Sequence, residues 1–589
     1  MLGNTMYHKK PLIALALLCV AGLSQAGEKE ELLKLRNTTT SLIKQLVKQG
    51  VLTDKMATEM LKQAEVDANQ QVAEAKVSVP KENEVVPADE VRVQYVPDFV
   101  KDEIRQQVRT ELKEEVVGDV MHKAKKEKWG LPDALPDWVN RFKLSGDLRI
   151  REQSTFMASD NTDSGNYYDW PTINNNGNPN GAGFNNAGQN ALVNTTDGRS
   201  QARERFRLGI DANIASGFDA GIRLATGNIT NPVSTNQSLG TYGNRYQINI
   251  DRAFLKYNAV DDNKFNWLSV MGGRTPNPFF TGGSEVVWDE DLSFEGLAGT
   301  VRHNFNDSGL TDSIDGKGVT GYATFGIFPL QASTGMSTRD KWLLGGQTGL
   351  DWGFDNQDSL KFASAYYDYQ NITAVVDPRL NIAGSTCAGN TSISNQSAPQ
   401  FMQFGNTLTP ICNGASDGSL GLMGLASNYK ILNFNALYDI ALFSPHHVKL
   451  SADYAKNIGF SASDIQNKYR TYYVAGLVSQ PSLKSVDTDA WQVRADVGWP
   501  KVDVGGHWSV FGLYKYVGSD AVLDAYTDSD FHQGGASNLG GTNVKGWVVG
   551  GNYGLMKNVW LTGKWMSGNV ITGPQYGVDL MQLDINTHF

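Results

Sequence analysis

From Phe142 onward the chain alternates apolar and polar residues with a period of two, and the pattern recurs as far as Phe589. The first segment shows it well, because Leu144, Leu148 and Ile150 alternate with polar or charged residues. Successive side chains of a β-strand point to opposite faces, so this period predicts strands with one apolar and one polar face. Most segments are close to the roughly 9–11 residues that a tilted transmembrane strand needs.

The pattern predicts sixteen strands in all. They cover 142–152, 203–214, 219–228, 245–257, 265–274, 292–303, 318–328, 341–352, 358–369, 430–441, 447–457, 488–498, 507–517, 543–555, 558–567 and 578–589. The alternation is weak in 265–274, 318–328 and 358–369. Its parity slips near Asp251, which indicates a β-bulge at that residue.

The lengths of the connections distinguish a membrane barrel from a soluble sandwich. Links after even-numbered strands are mostly short (215–218, 353–357, 442–446, 556–557), and links after odd-numbered strands are mostly long (153–202, 229–244, 275–291, 370–429, 458–487, 518–542). Short turns at one end and long loops at the other are typical of bacterial outer-membrane barrels. We therefore predict an all-β transmembrane antiparallel barrel of about 16 strands over residues 141–589.

Low hydropathy agrees with this fold. The mean hydropathy is −0.34 and 40% of the residues are hydrophobic, too few for a bundle of apolar transmembrane helices. A barrel exposes apolar side chains on one strand face only, so its sequence stays moderately polar.

The first residues resemble a secretory signal. Lys9 and Lys10 precede an apolar stretch at 11–23, and a small-x-small cleavage site ends at Ala26. We expect a signal peptide over 1–26, with a retained N-terminal anchor as the alternative.

A charged region precedes the barrel. Leucines at 3–4 spacing predict a helical, coiled-coil-like segment over 27–78, followed by a proline-containing linker at 79–97 and a second helical segment at 98–140. An even strand count puts this region in the periplasm. An oligomerisation coil and a solvated helix without a partner both remain open, as does a contact of residues 27–128 with peptidoglycan or another periplasmic partner.

Two cysteines remain after the signal, Cys387 and Cys412, both in the long link 370–429. In an exported protein they predict one disulfide that closes a loop, with two free thiols as the alternative.

Charged residues are expected to line the lumen. Strand parity puts six arginines on the non-lipid face of the first three strands: Arg149, Arg151, Arg203, Arg205, Arg207 and Arg223. Four acids lie in the link 275–291: Glu285, Asp289, Glu290 and Asp291. In many outer-membrane barrels the third external loop folds inward, so these acids would face the basic wall and constrict the lumen. The alternative is a solvated external loop.

Several functions are not expected. The net charge of −10 argues against nucleic-acid binding. Histidines number 8, and no G-x-S-x-G, H-E-x-x-H or P-loop motif occurs, so we expect neither an enzyme nor a cofactor. The run Asp289–Asp291 lacks the spaced oxygen ligands of a calcium loop, so we expect no metal site.

Four stretches resemble the putative porin family of Gram-negative bacteria: 136–151 (PDWVNRFKLSGDLRIR), 231–240 with 242–246 (NPVSTNQSLG, YGNRY), 272–278 (GGRTPNP) and 288–295 (WDEDLSFE). Phe589 at the end of an alternating strand also resembles the signal read by outer-membrane assembly machinery. The resemblance implies an outer-membrane channel among lipids and lipopolysaccharide, and a homotrimer is the general expectation for sixteen-stranded porins.

Three functional interpretations remain open. The first is a porin for passive diffusion of small hydrophilic solutes and ions. The second is a substrate-specific anion channel, because the arginines and the N-terminal coil also resemble those of phosphate-selective porins. The third is a structural or adhesive barrel, which a lumen plugged by the link 370–429 would favour.

Overall fold

A computed structural model describes residues 141–163, 167–177, 192–305, 318–333, 339–379, 393–412, 421–441, 443–473, 487–534 and 539–589. The predicted signal peptide, coiled-coil-like segment, linker and second helical segment (1–26, 27–78, 79–97 and 98–140) lie outside these residues and stay predictions. No helix in the described part of the chain is long and apolar enough to cross a membrane.

Nineteen strands occur among the described residues. They are β1 (Phe142–Met157), β2 (Arg199–Ala215), β3 (Phe218–Ala225), β4 (Gln237–Ser238), β5 (Asn249–Val260), β6 (Asn266–Thr275), β7 (Phe294–Asn304), β8 (Gly318–Gln331), β9 (Lys341–Gly353), β10 (Ser359–Gln370), β11 (Leu408–Pro410), β12 (Met423–Leu425), β13 (Lys430–Ile440), β14 (His447–Asn457), β15 (Asp489–Gly498), β16 (Trp508–Val517), β17 (Val544–Met556), β18 (Val559–Val570) and β19 (Gly577–His588). The described helices are short: α1 (Trp170–Gly177), α2 (Ile393–Gln396), α3 (Ala462–Tyr473) and a 3₁₀ turn at Asp524–Tyr526.

All strands except β4, β11 and β12 form one closed antiparallel barrel of sixteen strands. Each pairs with its neighbours along the chain, and β1 pairs with β19 from Asp147 opposite His588 to Met157 opposite Val578. The prediction of a sixteen-strand antiparallel barrel is therefore confirmed. The predicted bounds hold within a few residues. The largest differences are at the loop-side ends, which are longer in β1 and β2 and shorter in β5.

The predicted bulge is also present. Arg223 of β3 lies opposite Arg252, whereas the next residue, Leu224, lies opposite Ile250, so Asp251 is the extra residue of β5. The bulge turns Asp251 to the inside of the barrel, where its carboxylate accepts a hydrogen bond from Arg223 Nε.

The outward faces of the strands carry a band of solvent-exposed apolar side chains, as a lipid-facing surface requires. Leu450, Val493 and Leu583 each expose about half of their area. Members of the band elsewhere include Leu144, Ile210, Ile222, Leu255, Leu297, Phe325, Leu350, Phe362, Phe434, Val510, Val549, Met581 and Ile585.

Loops occupy part of the interior in the loop-side half of the barrel. Loops 276–293, 371–429 and 518–543, which join β6 to β7, β10 to β13 and β16 to β17, contribute to one buried apolar cluster with the inner wall. Trp288 packs edge-on against Tyr367, with ring centroids 4.9 Å apart, and Phe279 does so at 5.0 Å. Phe328 and Tyr369 of the inner wall are also fully buried. Apolar residues therefore occupy both faces of β8 and β10, which explains why alternation is weak in 318–328 and 358–369.

Candidate functional site

The basic wall is built by the pairing of β1 and β2. Arg149 lies opposite Arg205, and Arg151 lies opposite Arg203. Four of the six predicted arginines (Arg149, Arg151, Arg203, Arg205) are buried, and Arg207 and Arg223 are partly buried. Like charges directly opposite each other destabilise a sheet, so this wall requires compensating acids.

Arg151 forms ion pairs with two acids. Its Nε and Nη2 donate to the two oxygens of Asp584, on the neighbouring strand β19, at 2.8 and 2.9 Å. Its Nη1 donates to Asp530 of loop 518–543 at 2.7 Å. Burial alone would raise the pKa of Asp530, but Arg151, Arg203 and Arg149 hold it well below its usual range. Asp530 is therefore ionised in the lumen.

Arg205 and Arg207 face the predicted constriction loop. Arg207 Nε donates to Asp147 of β1 at 2.7 Å, and its Nη1 donates to Asp291 at 3.0 Å. Arg205 Nη1 lies 3.6 Å from Asp291 and 3.7 Å from Glu290, whose side chain is 69% exposed. The structure thus brings two of the four predicted loop acids against the arginine wall.

Asp291 is held in place from its other side as well. The backbone N–H and the hydroxyl of Thr235, in the loop 226–248 that joins β3 to β5, donate to Asp291 Oδ2 at 3.2 and 3.1 Å. Burial would raise the pKa of Asp291, but Arg205, Arg207 and Arg149 lower it below its ordinary value. A fixed carboxylate therefore stands against the arginines.

Glu285 and Asp289 do not face the arginine wall. Their carboxylates lie with that of Asp528, all within 4.8 Å of one another, in the contact between loops 276–293 and 518–543. Lys515 Nζ donates to Asp528 and supplies part of the opposite charge. Burial, followed by repulsion from Asp528, raises the pKa of Glu285 to about 8, and burial and Glu285 raise that of Asp289 well above its ordinary value. Such an oxygen set could hold a proton or a hard cation.

Backbone and side-chain hydrogen bonds join these loops. Thr527 Oγ1 donates to the carbonyl oxygen of Val286 at 2.8 Å, and Ser529 N donates to Asp289 Oδ2 at 2.9 Å. Loop 371–429 packs on the same segment, since Gln403 Nε2 donates to the carbonyl oxygens of Asp524 and Thr527 at 2.8 and 2.9 Å. The three loops form one unit inside the barrel mouth.

The remaining predicted site residues lie away from this wall. Cys412 is buried and disulfide-bonded, while Cys387 lies outside the described residues, so their pairing stays a prediction. Phe589 exchanges two backbone hydrogen bonds of 3.0 Å with Gly146 of β1. Its role in assembly stays a prediction.

Three cavities open around the loop unit and at the turn end. Two at the loop end, of about 660 and 310 Å³, share Asn228, Asn231 and Gln400 as lining residues. A third, of about 500 Å³, lies at the turn end beside Trp560 and His588.

The site also contains acids that were not predicted from the sequence, among them Asp528, Asp530 and Asp584. Asp584 shares the inner parity of β19 and is paired with Arg151 across the β1–β19 junction, so strand parity and closure together could have found it. Asp528 and Asp530 lie in a long loop without periodicity, and no sequence signal placed that loop inside the barrel.

A closed sixteen-strand barrel with an apolar outer band and a charged interior defines an outer-membrane barrel of the channel type. A family model described as putative porin matches residues 36–589. The chain belongs to this family of putative porins, which points to a channel rather than an enzyme.

Solved structures of outer-membrane porins are also similar. They include the outer membrane channel DcaP of Acinetobacter baumannii (11% identity, 76% of this chain and 97% of that chain, TM-score 0.35), OprB of Pseudomonas putida at high pH (11%, 78% and 97%, 0.41) and OmpF of Salmonella typhi in complex with daunomycin (12%, 76% and 97%, 0.36). These values are too low to carry an argument about solutes. A comparison with curated proteins finds no match.

Proposed function

We propose that the protein is a porin for passive diffusion of small hydrophilic solutes and ions. The observation that carries the proposal is the pairing of Arg205 and Arg207 on the inner wall with Asp291 and Glu290 of loop 276–293. Pairing of these charges leaves neither sign in large excess on this part of the inner wall, so neither cations nor anions are repelled strongly. Weak ion preference is therefore expected, rather than the strong anion preference of a purely basic pore.

The proposed function also places the barrel in the outer membrane and its N-terminal segments in the periplasm. The apolar band contacts outer-membrane lipids, with lipopolysaccharide around the loop end, and the short turns face the periplasm. The segments 27–78 and 98–140 extend into the periplasm, where residues 27–128 are available to peptidoglycan or a periplasmic partner. A homotrimer assisted by the coiled-coil-like segment is the proposed assembly, and cross-linking in native membranes that yields only monomers would refute it.

A second candidate function has its own supporting observation. Loops 276–293, 371–429 and 518–543 fill much of the loop-side half with an apolar core. A barrel closed in this way would serve as a structural or adhesive protein whose external loops bind a partner. An anion-selective channel is less favoured as a description of the whole pore, because Asp147, Asp291, Asp530 and Asp584 offset most of the arginine wall.

The test is single-channel conductance of the refolded full chain in a planar bilayer, with the reversal potential measured under a KCl gradient. Stable ohmic steps with weak ion preference are expected. The double variant Glu290→Gln/Asp291→Asn should shift the reversal potential toward chloride, because it removes the acids that face the arginines. Absence of steps from correctly folded protein would refute the channel and favour the structural barrel.

A further inference from the structure

Arg203 is a buried cation whose main acidic neighbour among the described residues, Asp530, forms its ion pair with Arg151 instead. Its side chain lies on the inner face of β2 and the residue is only 5% exposed. Its one hydrogen bond is a long one of 3.5 Å from Nη1 to Gln153 Oε1, and its Nε has no partner. Within the described residues, no carboxylate lies within ion-pair distance of Arg203. Burial of an unpaired charge is costly, so such a group is a site where an anion would be favourable.

The neighbouring groups cannot supply this anion, because they already have partners. Arg151, directly opposite Arg203, engages both Asp584 and Asp530. The one acceptor of Arg203, Gln153 Oε1, also accepts from Gln582 Nε2 at 3.1 Å. The free donors of Arg203 are therefore left for a group that is not part of the protein.

A cavity of about 310 Å³ adjoins Arg203. Among the described residues that line it, Arg203 is the only charged one, and no Asp or Glu is present. The other polar lining residues carry amides and hydroxyls; they are Asn174, Asn228, Thr230, Asn231, Ser234, Asn236, Gln237, Ser238 and Gln400. A single cation among neutral donors and acceptors suits a ligand with one anionic group and a hydroxylated body.

The cavity lies at the loop end of the barrel. Loop 226–248 contributes the largest share of its wall, and loop 371–429 contributes the run Pro399–Met402. The cavity of about 660 Å³, which shares Asn228, Asn231 and Gln400, continues from it toward Arg274 and Lys341. A solute bound at Arg203 would therefore stand at the loop-side entrance of the barrel.

We propose that the Arg203 cavity binds a small hydroxylated carboxylate, with the planar guanidinium taking the carboxylate and the surrounding amides taking the hydroxyl groups. The guanidinium fork matches the two oxygens of a carboxylate, which favours that group over a spherical anion such as chloride. The inference deepens the proposed channel function by naming a solute class, and it rests on that function for its biological use. Binding itself is measurable without conduction.

The test uses gluconate as the probe, with glucose as a neutral hydroxylated control and inorganic phosphate as the alternative oxyanion. Titration calorimetry of the refolded full chain should show saturable binding of gluconate, weaker binding of phosphate and none of glucose. Arg203→Gln should weaken gluconate binding at least about tenfold, since it removes a charge-assisted hydrogen bond. Equal affinity of gluconate for Arg203→Gln and the unchanged protein would overturn the proposal, and so would binding of phosphate tighter than that of gluconate.

Two further variants keep the test interpretable. Arg494→Gln is the matched control, because Arg494 is paired with Asp496 on β15, away from the cavity, and gluconate affinity should stay the same. Asn231→Asp retains the side-chain oxygen that accepts a hydrogen bond from Val233 N, and it adds a carboxylate to the cavity wall. It should abolish gluconate binding even if Arg203→Gln does not fold, and retained binding would refute the site. Loss of conductance with intact gluconate binding would refute the channel alone.

Discussion

Replacement of Arg151 should be among the most destabilising single changes on the inner wall. Arg151 is 1% exposed and forms three hydrogen bonds of 2.7–2.9 Å to Asp584 and Asp530. Arg151→Gln leaves the buried carboxylate of Asp584, only 3% exposed, without a cation. Loss of one partner from a buried ion pair costs about 3–5 kcal/mol, because the other charge stays buried and unpaired.

Lys361→Gln is the matched control for this prediction. Lys361 Nζ lies 2.7 Å from Asp351, the same distance as Arg151 from Asp530, but both side chains are about 40% exposed. Exposed pairs contribute about 0–1 kcal/mol, so burial rather than distance should decide the difference.

The assay is equilibrium urea unfolding of the barrel in lipid vesicles, followed by tryptophan fluorescence. The double variant Arg151→Gln/Asp584→Asn should recover much of the lost stability, since it removes the unpaired carboxylate. If Arg151→Gln and Lys361→Gln lowered the free energy of unfolding equally, the argument from burial would be refuted.

Three further predictions concern the loops and the outer surface. Because burial raises the pKa of Glu285 from 4.5 to about 8, the contact of loops 276–293 and 518–543 is strongest below pH 4.5 and weakens as the pH rises through 8. Glu285→Gln should reduce this pH dependence in hydrogen exchange of residues 276–293, with the remainder coming from Asp289, and an unchanged profile would contradict the prediction. Val493→Arg on the lipid face should cost about 2–4 kcal/mol in vesicle unfolding, against little for Val504→Arg in a turn, and equal costs would exclude a lipid contact at Val493. Trp288→Ala, which empties part of the loop-side core, should cost about 3–5 kcal/mol and raise single-channel conductance, whereas unchanged conductance would mean that this core does not limit the pore.

The barrel was predictable from sequence because its walls separate two different environments. Lipid outside and polar groups inside impose the period of two, so the sixteen strands appear within a few residues of their predicted bounds. The Asp251 bulge was visible for the same reason, since one extra residue reverses the parity of everything that follows. Strand parity likewise assigned the six arginines to the interior.

The contents of the lumen were not predictable in the same way. Loops lack a period, and nothing in the sequence around Phe531 or Leu523 indicates that these residues are buried inside a barrel. The weak alternation of 318–328 and 358–369 did indicate that loops lie inside. A strand with apolar residues on both faces needs an apolar cover on its inner face as well as lipid on its outer face. Weak alternation within a predicted barrel strand can therefore indicate where loops cover the inner wall.

The dependence of wall charges on loop acids limits how this protein can be altered. External loops are usually the segments that tolerate insertion and exchange best. Here Asp291 and Asp530 are counterions of strand arginines, so replacement of either loop would change the charge balance of the barrel itself. Any graft onto this scaffold, whether by engineering or by recombination between relatives, must therefore carry loop and wall together as one inherited unit.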